Sequence, residues 1–138
     1  MPSHTARVPL TPVELARRGL DALNSGDLEG VLALVADDIV ADVPSGYANA
    51  DAYRGREGFQ RMLDQWLEPW CDYRAEPLEF FEEGDTIVVS IHQSATGRES
   101  GVKVNMHVAY LLRARDGLLV EWRLCADAEE ALALARAS

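Results

Sequence analysis

The sequence predicts an α+β fold in which one cone-shaped, curved antiparallel sheet wraps around N-terminal helices. Three observations predict it. Helical periodicity dominates the first half, four β-like runs follow one another from Tyr73 onward, and tight-turn signals such as "RDG" separate those runs. Helices gathered before a run of antiparallel strands give the sheet one economical way to bury its apolar face, which is to curl around them. Such a cone has a mouth, and a mouth is a natural ligand site. With 138 residues the chain supports one core, so 11–138 is read as one domain and 1–10 as a flexible leader.

Each element has a local cause. Thr11 caps the first helix, Pro12 suits its first position and Glu14 completes a capping box. Val13, Ala16, Leu20 and Leu23 then form one apolar face before "NSGD" stops the helix. Asp27 caps a second helix carrying Leu28, Val31, Leu32 and Val35, and "IVADV" is a strand ended by Pro44. "PSGYANADAYRG" reads as loop. A third helix follows Gly55, with Phe59, Met62, Leu63, Trp66 and Trp70 on its apolar side. Strands are expected at Tyr73–Glu82, Asp85–Thr96, Val102–Ala114 and Leu118–Ala126. Asp127 and Glu130 then cap a terminal helix, "AEEALALAR".

Composition narrows the function. Hydrophobic residues at 48% and charged residues at 26% are those of an ordinary globular protein. No stretch approaches the ~18 apolar residues of a membrane span, so no membrane partner is expected. "MPSHTARVPLTP" lacks the apolar run of a secretory signal, which makes the cytoplasm the expected location. Thirteen basic residues against 23 acidic ones give a net charge of -10, which repels phosphate backbones and argues against nucleic acid. Cys71 and Cys125 have no metal-ligand spacing and read as buried small hydrophobes. No metal and no cofactor are expected.

"ALNSGDLEGVLALVADD", "VP", "YRGREGF", "SG" and "RDGLLVEWRLCAD" resemble the nuclear transport factor 2-like superfamily, within it the ketosteroid isomerases and SnoaL-like polyketide cyclases. The resemblance runs from about Val13 to Ala135. It implies a cystatin-like α+β barrel and a homodimer through the outer sheet face, here at Tyr110, Arg123 and Cys125. The isomerases use a tyrosine on the first helix, an aspartate base before a proline, and a second aspartate kept protonated by an apolar site. Aligned without gaps, those positions hold Gly19, Val43 and Ala109. The cyclases' aspartate on the last strand falls at Leu124. All four roles are vacant, so the resemblance implies neither of those mechanisms.

Carrying over the isomerase cone gives inward sets by strand alternation: Val88, Ser90, His92 and Ser94; His107, Ala109 and Leu111; Trp122, Leu124 and Ala126. A hairpin closed by "TGRESG" brings His92 opposite His107 or next to it. Two neighbouring imidazoles do not both hold a proton cheaply, and one neutral beside one protonated is a usable base and acid. The other reading is a structural pair hydrogen-bonded to serine or water. Asp42 is the reserve base, although alternation turns it to the other face unless a bulge re-aims it. Trp66 and Trp122 serve as flat pocket walls or as core, and Trp70 as core. Tyr47 and Tyr53 belong to a loop that is either a lid or simply exposed.

Ser90, Ser94, Trp66, Trp122, Tyr47, Tyr53 and Leu124 are therefore the expected substrate-binding residues, and His92, His107 and Asp42 the expected catalytic ones. The function expected is cofactor-independent acid–base chemistry (isomerase, dehydratase or cyclase) on a small hydrophobic, oxygenated molecule such as a polyketide or terpenoid. The alternative is a non-catalytic small-ligand-binding or accessory protein of the same fold.

Overall fold

The computed structural model describes residues 10–47 and 49–137; the expected leader at 1–10 lies, but for Leu10, outside them. The element order is α1 (Pro12–Asn24), α2 (Leu28–Leu32), β1 (Val35–Val43), β2 (Asp51–Arg54), α3 (Gly55–Leu67), β3 (Trp70–Glu83), β4 (Thr86–Gly97), β5 (Lys103–Arg115), β6 (Leu118–Cys125) and α4 (Ala128–Ala137). The caps form as the sequence requires. Thr11 Oγ1 accepts from Glu14 N at 3.2 Å while Glu14 Oε1 accepts from Thr11 N at 2.9 Å. Asp27 caps α2 through Gly30 N, and Asp127 caps α4 through Glu130 N, each close to 2.9 Å (2.9 and 2.8 Å). Asp116 and Gly117 take φ values of 55° and 81°, the left-handed pair that closes a two-residue hairpin between β5 and β6.

The six strands lie in the order β2-β1-β6-β5-β4-β3, a curved and unclosed sheet with β2 and β3 at its edges. Three expectations are corrected here. The sheet is not wholly antiparallel, because β1 pairs with β6 in parallel, Ala41 beside Trp122 and Asp42 beside Arg123. The long connection through helix and strands makes that possible, since parallel neighbours need a crossover. The loop after Pro44 contains an edge strand, β2, paired with β1 from Val40 to Val43. Trp70 opens β3 and Val35 opens β1, where helix positions were expected.

Two faces follow from alternation. The concave face carries Ile87, Val89 and Ile91 of β4, Tyr110 and Leu112 of β5, and Trp122 and Leu124 of β6, packed with Leu15, Leu20, Phe59 and Met62 from the helices. The convex face carries Val88, Ala109, Leu111 and Cys125, covered by Ala131, Leu132 and Ala135 of α4. Of the three residues expected at a dimer face, Tyr110 therefore points inward and Cys125 lies under α4, fully buried. No helix among the described residues is long and apolar enough to cross a membrane.

One side chain ties the helical layer to the sheet edge. Asn24, the last residue of α1, donates from Nδ2 to Ala75 O at 2.9 Å and accepts from Ala75 N at 2.8 Å. Asn24 thus satisfies both backbone groups of a residue with 0% exposure on the edge strand β3, where the sheet has no further strand to do so. Asn24→Ala strands a buried donor and a buried acceptor at once. The expected cost is about 2–4 kcal/mol in urea unfolding, against less than about 0.5 kcal/mol for an exposed substitution such as Gln60→Ala.

Candidate active site

The polar centre of the cone is built from three strands. On β4 the inward series Ile87, Val89, Ile91 is interrupted at Gln93, which is 8% exposed. On β5 the inward series reaches Tyr110, 5% exposed. On β3 the register slips by one residue between Cys71 and Arg74, with Asp72 at φ 56°, and Tyr73 enters the interior beside Ala75. Tyr110 donates to Gln93 Oε1 at 3.2 Å, and Tyr73 donates to the same oxygen at closer range. The two hydroxyls lie 3.4 Å apart. Gln93 Nε2 donates to the weak acceptor Met106 Sδ, at 3.8 Å.

Aromatic rings wall this cluster. Trp66 meets Trp122 edge-on with centroids 6.4 Å apart, and Tyr110 lies tilted against Trp122 at 5.1 Å. Two cavities meet at Trp66 and Tyr73. The inner one, about 60 Å³, is bounded by α1, α2, α3 and the concave strands, including Gly19, Leu20, Phe59, Leu112 and Trp122. The outer one, about 200 Å³, is bounded by Tyr47, Asn49, Trp70, Gln93, Ala95 and Met106. Among the described residues neither wall includes a histidine, aspartate, glutamate, lysine or arginine.

Burial sets the protonation of the cluster. Desolvation, then the proximity of Tyr73, raises the Tyr110 phenol well above its ordinary value of 10.0. Desolvation also raises Tyr73, with hydrogen bonds from Tyr110 and Trp66 pulling the other way. At neutral pH both hydroxyls are therefore proton donors. A ligand oxygen that displaces Gln93 Oε1 as their acceptor can take both hydrogen bonds and be stabilised as negative charge develops on it, and the hydroxyls are poor bases.

The expected site residues divide between the two faces. His92 and His107 do stand directly opposite each other, ring centroids 5.1 Å apart. They lie on the convex face, however, away from both cavities, His92 half-buried and His107 exposed. The reason is register. Tyr110 pairs with Leu124 and Leu112 with Trp122, so the even-numbered residues of β5 share the inward face of β6. The inherited inward set put Ala109 with Leu124, one residue out of step, and one residue reverses a face.

Ser90 sits on the convex face with the histidines, and Ser94 reaches the rim of the outer cavity. Asp42 also lies on the convex side, its Oδ2 3.7 Å from Arg123 Nε, as alternation with the buried Ala41 and Val43 requires; the irregularity in β1 lies before Val40 and does not re-aim it. Trp66 and Trp122 do wall the inner cavity, and Tyr47 and Trp70 line the outer one. Leu124 faces inward as core, 1% exposed. Tyr53 is buried with its hydroxyl donating to Asn49 O at 2.6 Å, and it lines neither cavity.

Sequence reasoning missed Tyr73, Gln93 and Tyr110. A signal for the last two was present: in "TIVVSIHQSA" the odd positions run Ile87, Val89, Ile91, and in "VNMHVAYLL" the even positions run Val104, Met106, Val108, Tyr110. The apolar parity alone puts Gln93 and Tyr110 inside and both histidines outside.

The raised phenols make a pH prediction. A folded value above the unfolded one means the folded chain holds its proton longer, so this stability is complete below about pH 10 and lost as pH rises further. Urea midpoints should fall as pH rises above about 10. Tyr110→Phe should flatten that fall, and an unchanged slope would remove Tyr110 from the buried set.

Comparison with known proteins agrees with this architecture. The SnoaL-like domain family matches residues 16–122. No curated protein sequence matches the chain. An NTF2-like protein of unknown function from Burkholderia pseudomallei superposes with a TM-score of 0.76 at 24% identity, covering 90% of this chain and 96% of that one. TerC, co-crystallised with polyporic acid, gives a TM-score of 0.76 at 21% identity, covering 91% and 98%. A candidate polyketide cyclase from Sinorhizobium meliloti gives 0.65 at 20% identity, covering 83% and 99%. With the helices cupped by a curved, unclosed sheet and the family match spanning most of its length, the chain belongs to the SnoaL-like domain family of the NTF2-like fold.

Proposed function

We propose that the protein binds a small, flat, hydrophobic molecule bearing at least one oxygen, with the ring in the larger, outer cavity and the oxygen at Tyr73, Gln93 and Tyr110. The observation that carries this reading is the meeting of an apolar chamber with two buried hydroxyl donors at Trp66 and Tyr73. An apolar chamber with few convergent polar groups is the usual composition of a small-molecule site. Polyketides, terpenoids and simple aromatic compounds have this character, and a structural relative, TerC, was crystallised with polyporic acid.

Isomerisation, dehydration or cyclisation through an enolate is the chemistry such a site favours. Two neutral phenols supply its electrophilic half once a substrate oxygen takes the place of Gln93 Oε1 as their acceptor. The basic half is not supplied by the described walls, which hold no carboxylate or imidazole. This favours ligand binding, or catalysis in which the substrate contributes its own acidic or basic group, over a histidine-driven mechanism.

Calorimetry with 2-naphthol and naphthalene tests the reading. The phenol should bind about 3- to 10-fold more tightly than the hydrocarbon, the worth of one neutral hydrogen bond. Tyr110→Phe and Gln93→Leu should shrink that ratio toward one while naphthalene binding persists. Equal binding of both compounds to the native protein, or no binding of either, contradicts it.

A further inference from the structure

The convex face holds a feature that the cavity does not use. Glu76, His92 and His107 stand in one row across β3, β4 and β5, each directly opposite the next. The register of the β4–β5 hairpin runs unbroken from Thr86 to Lys103. Gly97 N donates to Val102 O at 2.8 Å, so 97 and 102 form a hydrogen-bonded pair. Hydrogen-bonded and non-hydrogen-bonded pairs alternate along an antiparallel ladder. Five steps further along, His92 and His107 fall on a non-hydrogen-bonded pair, where opposite side chains come closest. The rings are accordingly 5.1 Å apart and tilted by 39°.

We propose that His92 and His107 together chelate a divalent transition-metal ion of the zinc class on the outer surface of the sheet. Imidazole nitrogens suit such ions, and rings this close can each turn one nitrogen toward a shared centre at the ~2 Å zinc–nitrogen length. Glu76 supplies the charge. Its Oε1 lies 3.9 Å from His92 Nδ1, beyond hydrogen-bond reach, so it acts on the site through its charge. Among the described residues no three His, Cys, Asp or Glu side chains gather around one point, so water fills the remaining positions. Both histidines are accessible to an ion from solvent, His107 the more so. Gln93 and Met106, the sequence neighbours of the two histidines, line the outer cavity on the opposite face, so the ion site and the cavity are separate.

Zinc chloride titrated calorimetrically into the full chain tests this, in a His4→Ala background that leaves only these two imidazoles. One ion per chain is expected, with the imidazole nitrogen resonances of both His92 and His107 shifting together. His92→Ala and His107→Ala should each weaken binding more than ~10-fold, and Glu76→Gln only about 2- to 5-fold, with circular dichroism unchanged. Zinc held equally well by the His92→Ala, His107→Ala double variant would show an ion bound by surface carboxylates and overturn the proposal. So would no binding by the unsubstituted pair.

Discussion

The hairpin of β4 and β5 runs in strict alternation, with no register shift from Thr86 to Lys103, and both the core and the candidate site depend on it. In a strand each residue faces opposite to the last, so one step of slip would turn Ile87, Val89 and Ile91 to the convex side and His92 to the interior. Exposing those three apolar side chains alone costs about 1.5–3 kcal/mol each, comparable in sum to the whole stability of a small domain. The register is therefore strongly determined. It passes to β6 through the pairs Tyr110–Leu124 and Leu112–Trp122, which brings Trp122 under the Tyr110 ring.

The two faces acquire different chemistry as a result. The concave face gathers neutral donors in an apolar setting, Tyr73 and Tyr110 around Gln93, where burial keeps both phenols protonated. The convex face gathers charge: Arg113 with Glu121 at 3.2 Å, Arg123 between Glu121 and Asp42 at 3.5 and 3.7 Å, and the row from Glu76 to His107. Arg123 Nε is buried with no hydrogen-bond partner among the described residues, so on this side electrostatic attraction to the flanking carboxylates substitutes for geometry. A charged acid–base pair belongs naturally to this wetter face. The dry interior instead favours groups that remain neutral.

Most of the architecture was legible in the sequence because its signals are local. Thr11, Asp27 and Asp127 cap the helices they announce, and "RDG" turns as its residues require. The parallel contact of β1 with β6 was not legible, since it joins residues some eighty positions apart with no turn between them. The short edge strand β2 hid in a polar stretch whose composition is that of a loop. At the site, the pairing of His92 with His107 followed from the hairpin, while the face they take followed from apolar parity. Carrying over another enzyme's inward set overrode that parity and cost one residue of register. Tyr73 had no local signal, because its inward turn depends on the bulge at Asp72 and on the anchoring of Ala75 by Asn24.

The placement of the histidines outside the ligand chamber is the claim on which the functional reading turns. Carbethoxylation of the native protein by diethyl pyrocarbonate, followed residue by residue by mass spectrometry with and without saturating 2-naphthol, measures it directly. His92 and His107 should react at the same rates whether or not the chamber is filled. Protection of either imidazole by the bound phenol would contradict the account and return the pair to the interior.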